Sequence, residues 1–121
     1  MEKIVYASSN ADFLNKVYGT RYKAFMRGRY PLDRDTWVWM IRLDNSVRQG
    51  WKNRIINENE IWEEYVGIEQ PTYKEARERK YRIVVSIEET FSGRAYHILG
   101  RYAYDFKNSK IGRNVLVKVL E

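Results

Sequence analysis

Between Arg21 and Tyr30 the chain interleaves four cations, Arg21, Lys23, Arg27 and Arg29, with three aromatics, Tyr22, Phe25 and Tyr30. Guanidinium groups hold phosphates through paired hydrogen bonds, and tyrosine rings stack on bases. On a helix, Lys23 and Arg27 would share one side, while Tyr22, Phe25 and Met26 would face another. An amphipathic helix that buries its aromatics has the same pattern. Arg48, Lys52 and Arg54 are the next cations able to extend the surface. The expected nucleic-acid-binding set is therefore Arg21, Tyr22, Lys23, Arg27, Arg29, Tyr30, Arg48 and Lys52.

Catalytic chemistry finds fewer candidates. The chain has no cysteine and one histidine, His97, which excludes thiolate chemistry, disulfides and the usual structural zinc sites. No serine or cysteine nucleophile is identifiable beside His97. Asp105, Phe106 and Lys107, with Glu88 and Glu89 upstream, have the composition of a magnesium-dependent nuclease site. Their spacing argues against one. In an antiparallel hairpin Glu89 falls near Arg94, which leaves Asp105 roughly 35 Å away at the rise of a strand. Glu58, Glu60, Glu63 and Glu64 form an acidic cluster without a histidine, the composition of a solvated face. No phosphate-binding glycine loop or serine-nucleophile elbow is present. The expectation is no catalytic residue, no metal ligand and no cofactor, with an enzyme ranked behind the binding functions.

The charge balance supports a polyanionic partner. The 121 residues carry 22 basic and 16 acidic side chains, a net charge of +6. The excess lies in residues 1–56 (11 basic, 5 acidic), residues 57–80 are net acidic, and Phe13 to Tyr30 holds five cations and no acid. Such a field favours nucleic acid or an acidic protein surface. No run approaches 18 apolar residues and no signal peptide is evident, so membrane insertion is not expected and a cytoplasmic location is. Oligomeric state is left open, a homodimer included.

The elements that must position these groups are read from periodicity. Residues 3–8 form a β-rich run that ends at Ser8-Ser9-Asn10, with Ser9 or Asn10 capping a helix. Leu14, Val17, Tyr18, Tyr22, Phe25 and Met26 continue helical spacing to Gly28, with Gly19 and Thr20 able to split it. Thr36–Ile41 suits a buried strand or a buried helix equally. Val47, Trp51, Ile55, Trp62 and Tyr65 mark one face of a long helical region to about Val66, which Asn57-Glu58-Asn59-Glu60 interrupts, and Trp51, Ile55, Trp62 and Tyr65 are expected to pack inward against the sheet. A further short helix is expected after Pro71, where Thr72 and Glu75 have capping-box spacing. Residues 81–120 alternate with period two across two polar turns, predicting three antiparallel strands. On the second of these Tyr96, Ile98, Gly100, Tyr102, Tyr104 and Phe106 fall on one face. Arg101 to Phe106 resembles the aromatic strand of RNA-recognition sheets, but it lacks the glycine expected before the first aromatic.

The sum is one α+β domain over residues 1–121, with helices packed on one face of a mainly antiparallel sheet: a three-stranded C-terminal meander plus the N-terminal strand. The leading function is non-enzymatic nucleic-acid binding through the basic, aromatic segment. The alternative is a small protein-binding inhibitor or adaptor, of viral or mobile-element origin, using the tryptophan-rich region 37–62 as its interface.

Overall fold

The computed structural model describes residues 3–67 and 78–119. The elements are β1 (Lys3–Ala7), α1 (Asn10–Tyr18), β2 (Arg29–Pro31), β3 (Thr36–Ile41), β4 (Val47–Arg48), β5 (Trp51–Asn57), β6 (Glu60–Tyr65), β7 (Tyr81–Thr90), β8 (Gly93–Tyr104) and β9 (Arg113–Lys118). The strands form one sheet in the order β2-β3-β7-β8-β9-β6-β5-β4, with β1 paired to the N-terminal half of β8. The sheet curls into a half-barrel. The pairing of β3 with β7 is parallel, and all the others are antiparallel.

This overturns the expected helical layer. Residues 11–79 are not dominated by helices: α1 is the one helix among the described residues. It starts where Ser9 Oγ accepts from the Asp12 amide at 3.1 Å, and it stops at Gly19 in the left-handed region at φ 68°. The helical spacing beyond Gly19 is not used, because Asn15 supplies the hydrogen bonds a further turn would make. Its Oδ1 accepts from the Tyr22 amide and the Thr20 hydroxyl, and its Nδ2 donates to the Tyr22 carbonyl. Thr36–Ile41 resolves as a strand buried along its whole length, with Trp37, Trp39 and Ile41 facing the barrel interior and Val38 and Met40 the outside.

The region read as a long helix is instead the β4–β5–β6 meander. Of its two turns only Asn57-Glu58-Asn59-Glu60 showed as a break in the sequence. Gln49 and Gly50 both have positive φ, as a two-residue hairpin turn requires, and Asn57 Oδ1 accepts from the Asn59 amide at 2.8 Å. Trp51 and Tyr65 are a cross-strand pair with ring centres 5.2 Å apart. Trp51, Trp62 and Tyr65 are half-buried and Ile55 is exposed, so these four do not form one inward-packed face. The helix expected after Pro71 lies outside the described residues.

The strands β7, β8 and β9 are antiparallel neighbours, and β1 joins them. Two cores result. On the outer face α1 sets Phe13 and Leu14 against Val38, Met40, Val85 and Tyr96, with Phe13 stacked on Tyr96 at 4.6 Å. Inside the barrel Trp39, Ile41, Ile61, Val84, Tyr102, Tyr104 and Leu116 pack together. The single aromatic face expected on β8 is therefore corrected. Val85 pairs with Ile98 but Val84 pairs with Gly100, leaving Leu99 as a bulge. The extra residue puts Tyr96 and Ile98 on the outer face and Tyr102 and Tyr104 inside.

Candidate nucleic-acid interface

At the mouth of the half-barrel is a cleft of about 540 Å³. Strand β3 contributes Trp39 and Ile41 to it and continues into Arg42, while the stretch before β2 contributes Arg27 and, at its end, Arg29. From the other edge come Arg48 of β4 and Trp51 and Asn53 of β5. Strand β6 adds Glu63, and the β7–β8 hairpin adds Ile87 and Arg94. Five arginines thus surround one carboxylate, on a scale suited to a small ring system.

Glu63 is fixed from behind. Its side chain is 12% exposed, and Oε1 accepts from Arg82 Nη1 at 3.2 Å and from Asn114 Nδ2 at 2.7 Å. Asn114 is held in turn, since its Oδ1 accepts from the Tyr104 hydroxyl at 2.8 Å. Arg82 is 1% exposed and lies 4.5 Å from the centre of the Trp39 ring. Asn53 pairs with Glu63 across the strands, and its buried Oδ1 has no hydrogen-bond partner. Buried polar atoms are rarely left so, and this one lines the cleft. Two hydrogen-bond acceptors, the Glu63 carboxylate and the Asn53 amide oxygen, therefore line the same cleft as Trp39 and Trp51.

At the rim, Glu89 Oε1 receives Arg42 Nη2 at 2.5 Å and Arg94 Nε at 3.1 Å. The Arg42 guanidinium, with Arg94 beside it, holds the Glu89 carboxyl below the usual range. Away from the cleft, burial pushes the phenols of Tyr96 in the outer core and Tyr102 in the inner core up.

Of the residues the sequence pointed to, Arg27, Arg29 and Arg48 line the cleft. Arg21 and Lys23 are exposed on the loop 20–28 and do not line it. Tyr22 and Tyr30 belong to an aromatic cluster with Phe25 and Tyr18, at centroid distances of 5.0 to 6.2 Å. Lys52 sits between Trp51 and Asn53 on β5, and alternation turns it to the opposite face, where it is in register with Glu64. His97 pairs with Glu88 at 3.1 Å, and Glu89 meets Arg94 as the hairpin geometry required.

Sequence reasoning missed Trp39, Arg42, Asn53, Glu63 and Arg94 as site residues. Glu63 was grouped with a solvated acidic face, yet on β6 it alternates with Glu60, Trp62 and Glu64 and shares the inward face of Ile61. The only trace in the sequence is Arg82 at the head of the apolar run Ile83–Val85, and its alternation with Ile83 and Val85 reads as a wet face.

The family model described as SRA, the SET and RING associated domain, matches residues 1–120. No curated protein matches the chain. Among solved structures, the 5-hydroxymethylcytosine-specific restriction enzyme AbaSI is similar, with a TM-score of 0.68 at 22% identity. The match covers 96% of this chain and 38% of that one. The chain therefore spans well under half the length of that enzyme, and the likeness is one of fold. Among the described residues no helix is long and apolar enough to cross a membrane.

Proposed function

Starting from the fact that this chain belongs to the SET and RING associated (SRA) domain family, we propose that it is a DNA-binding module that takes one base, a cytosine modified at carbon 5, out of the stack and into the cleft. The observation that carries this reading is the acceptor pair at the base of the cleft. A cytosine presents its exocyclic amine as a donor, and a carboxylate or amide oxygen is the matching acceptor. Proteins that act on or inspect a single base extrude it, read its pairing edge by hydrogen bonds and stack it between flat side chains. Glu63 and Asn53 supply the acceptors, and the half-buried Trp51 on the cleft wall supplies a flat surface. The arginine rim supplies the attraction for the phosphodiester backbone.

Two further observations support the reading. The similar restriction enzyme is, by its title, specific for 5-hydroxymethylcytosine. Phe91 stands fully exposed at the tip of the β7–β8 hairpin, three residues from Arg94 of the rim. An apolar side chain at such a place suits insertion between base steps opened by extrusion. The protein-interface alternative gains nothing comparable, because Trp51 and Trp62 are both half-buried within the sheet.

The test is binding to duplexes that differ at one central cytosine: unmodified, 5-methyl or 5-hydroxymethyl. A fluorescent base analogue at the same position reports unstacking. One modified duplex should bind about tenfold or more tightly than the plain one, about 1.4 kcal/mol. Glu63→Gln should reduce discrimination between cytosine and other bases by about 1–3 kcal/mol. Equal affinity for all three duplexes, with no change in fluorescence, would overturn the base-reading proposal.

A further inference from the structure

We propose that Arg42 and Arg94 form a clamp for one backbone phosphate of the bound strand, and that Glu89 occupies this clamp until the phosphate displaces it. The inference rests on the DNA-binding reading above and adds a ligand site and an internal competitor to it. Both guanidiniums converge on a single oxygen, Glu89 Oε1, and both line the cleft, whereas Glu89 does not. A phosphodiester offers the same single negative charge with two unesterified oxygens, which paired guanidiniums match well.

Arg94 has a second partner besides Glu89, and Arg42 is largely buried. Arg42 continues directly from the buried strand β3, and its side chain is 14% exposed. Arg94 Nη1 reaches the Tyr96 hydroxyl at 3.4 Å, and that hydroxyl donates to Asn10 Oδ1 at 2.7 Å. Tyr96 itself is fully buried. Glu89, by contrast, is 58% exposed and sits near the end of the hairpin, so it can swing out without disturbing a core. As an ordinary surface ion pair it would contribute little to stability. That leaves unexplained why two cleft-lining arginines spend their charge on one exposed carboxylate.

Removing the competitor should therefore strengthen binding. Glu89→Gln keeps the shape and removes the charge. Against a 20-base-pair duplex, its dissociation constant should fall about fivefold at 50 mM salt, because the phosphate no longer has a carboxylate to displace. Glu88→Gln is the control, since it removes the same charge one residue away from a carboxylate paired with His97 instead. It should change affinity less than about twofold, because a carboxylate outside the clamp acts only through screened solvent. In an Arg42→Gln/Arg94→Gln background, Glu89→Gln should have no effect.

Thermal melts of each variant establish that the fold is kept. Wild-type binding with Glu89→Gln no tighter, or with Glu88→Gln tightening it equally, would overturn the clamp and leave the DNA reading standing. Absence of duplex binding by wild type and every variant at low salt would overturn the DNA reading and the clamp with it.

Discussion

Arg82 carries its guanidinium into the barrel interior, where Glu63 answers its charge and Trp39 lies against its face. A buried pair of this kind is costly to break from one side, because the remaining charge keeps its desolvation penalty and loses its partner. Arg82→Met should lower unfolding free energy by about 3 kcal/mol, measured by denaturant titration. Arg82→Met/Glu63→Met should lose less than the single variant, because the stranded carboxylate goes with it. Neither residue was legible as a site group in the sequence, for a reason particular to β7. Its alternation of Ile83, Val85 and Ile87 with Arg82, Val84 and Ser86 reads as one buried and one wet face. In the half-barrel both faces are covered, by α1 outside and by the curled sheet inside. Alternation records which residues share a face, but not whether that face meets water.

The bulge at Leu99 decides how β8 is used. It lets one strand deliver Tyr96 to the outer core and Tyr102 and Tyr104 to the inner one, and Gly100 beside it has φ 129°. A Cβ there would also lie 3.3 Å from Lys118 Cε. Gly100→Ala should therefore destabilise the protein by about 1–3 kcal/mol, read as a lowered melting temperature. The first strand, the Ser9 cap, the Gly19 stop and the three C-terminal strands were legible because their signals are local. The middle of the chain was not. Trp51 and Ile55 are four residues apart on β5, a spacing that keeps one face in a strand as well as in a helix, and Val47 lies on β4 across the turn. Only the turn residues, Gln49-Gly50 and Asn57-Glu58-Asn59, separate the two readings there.

Across the molecule, several exposed carboxylates have their pKa lowered by local partners. Asp12 is lowered chiefly by the Ser8 amide, Asp44 by Ser46, Glu89 by Arg42 and Asp105 by the Asn108 side chain. A depressed folded pKa means that the stabilisation is complete above the unfolded values, about 4, and is lost as pH falls through the lower folded ones. The melting temperature should be nearly flat from neutrality to about pH 5 and should drop below about pH 4. Asp105→Asn should make that drop shallower. The sheet order carries a different implication, for the way the chain reaches this state. Lys3 pairs with Ile98 and Thr36 with Tyr81, so β1 has no strand to join, and β3 only the three-residue β2, until most of the chain is present. Until then Trp37, Val38, Trp39, Met40 and Ile41 are an unbroken apolar segment with one edge unsatisfied. Such long-range pairing sets folding in the millisecond-to-second regime, and the waiting segment can find its mate on another chain instead. Refolding yield should therefore fall with protein concentration, and a newly made chain is at its most adhesive just before β7 emerges.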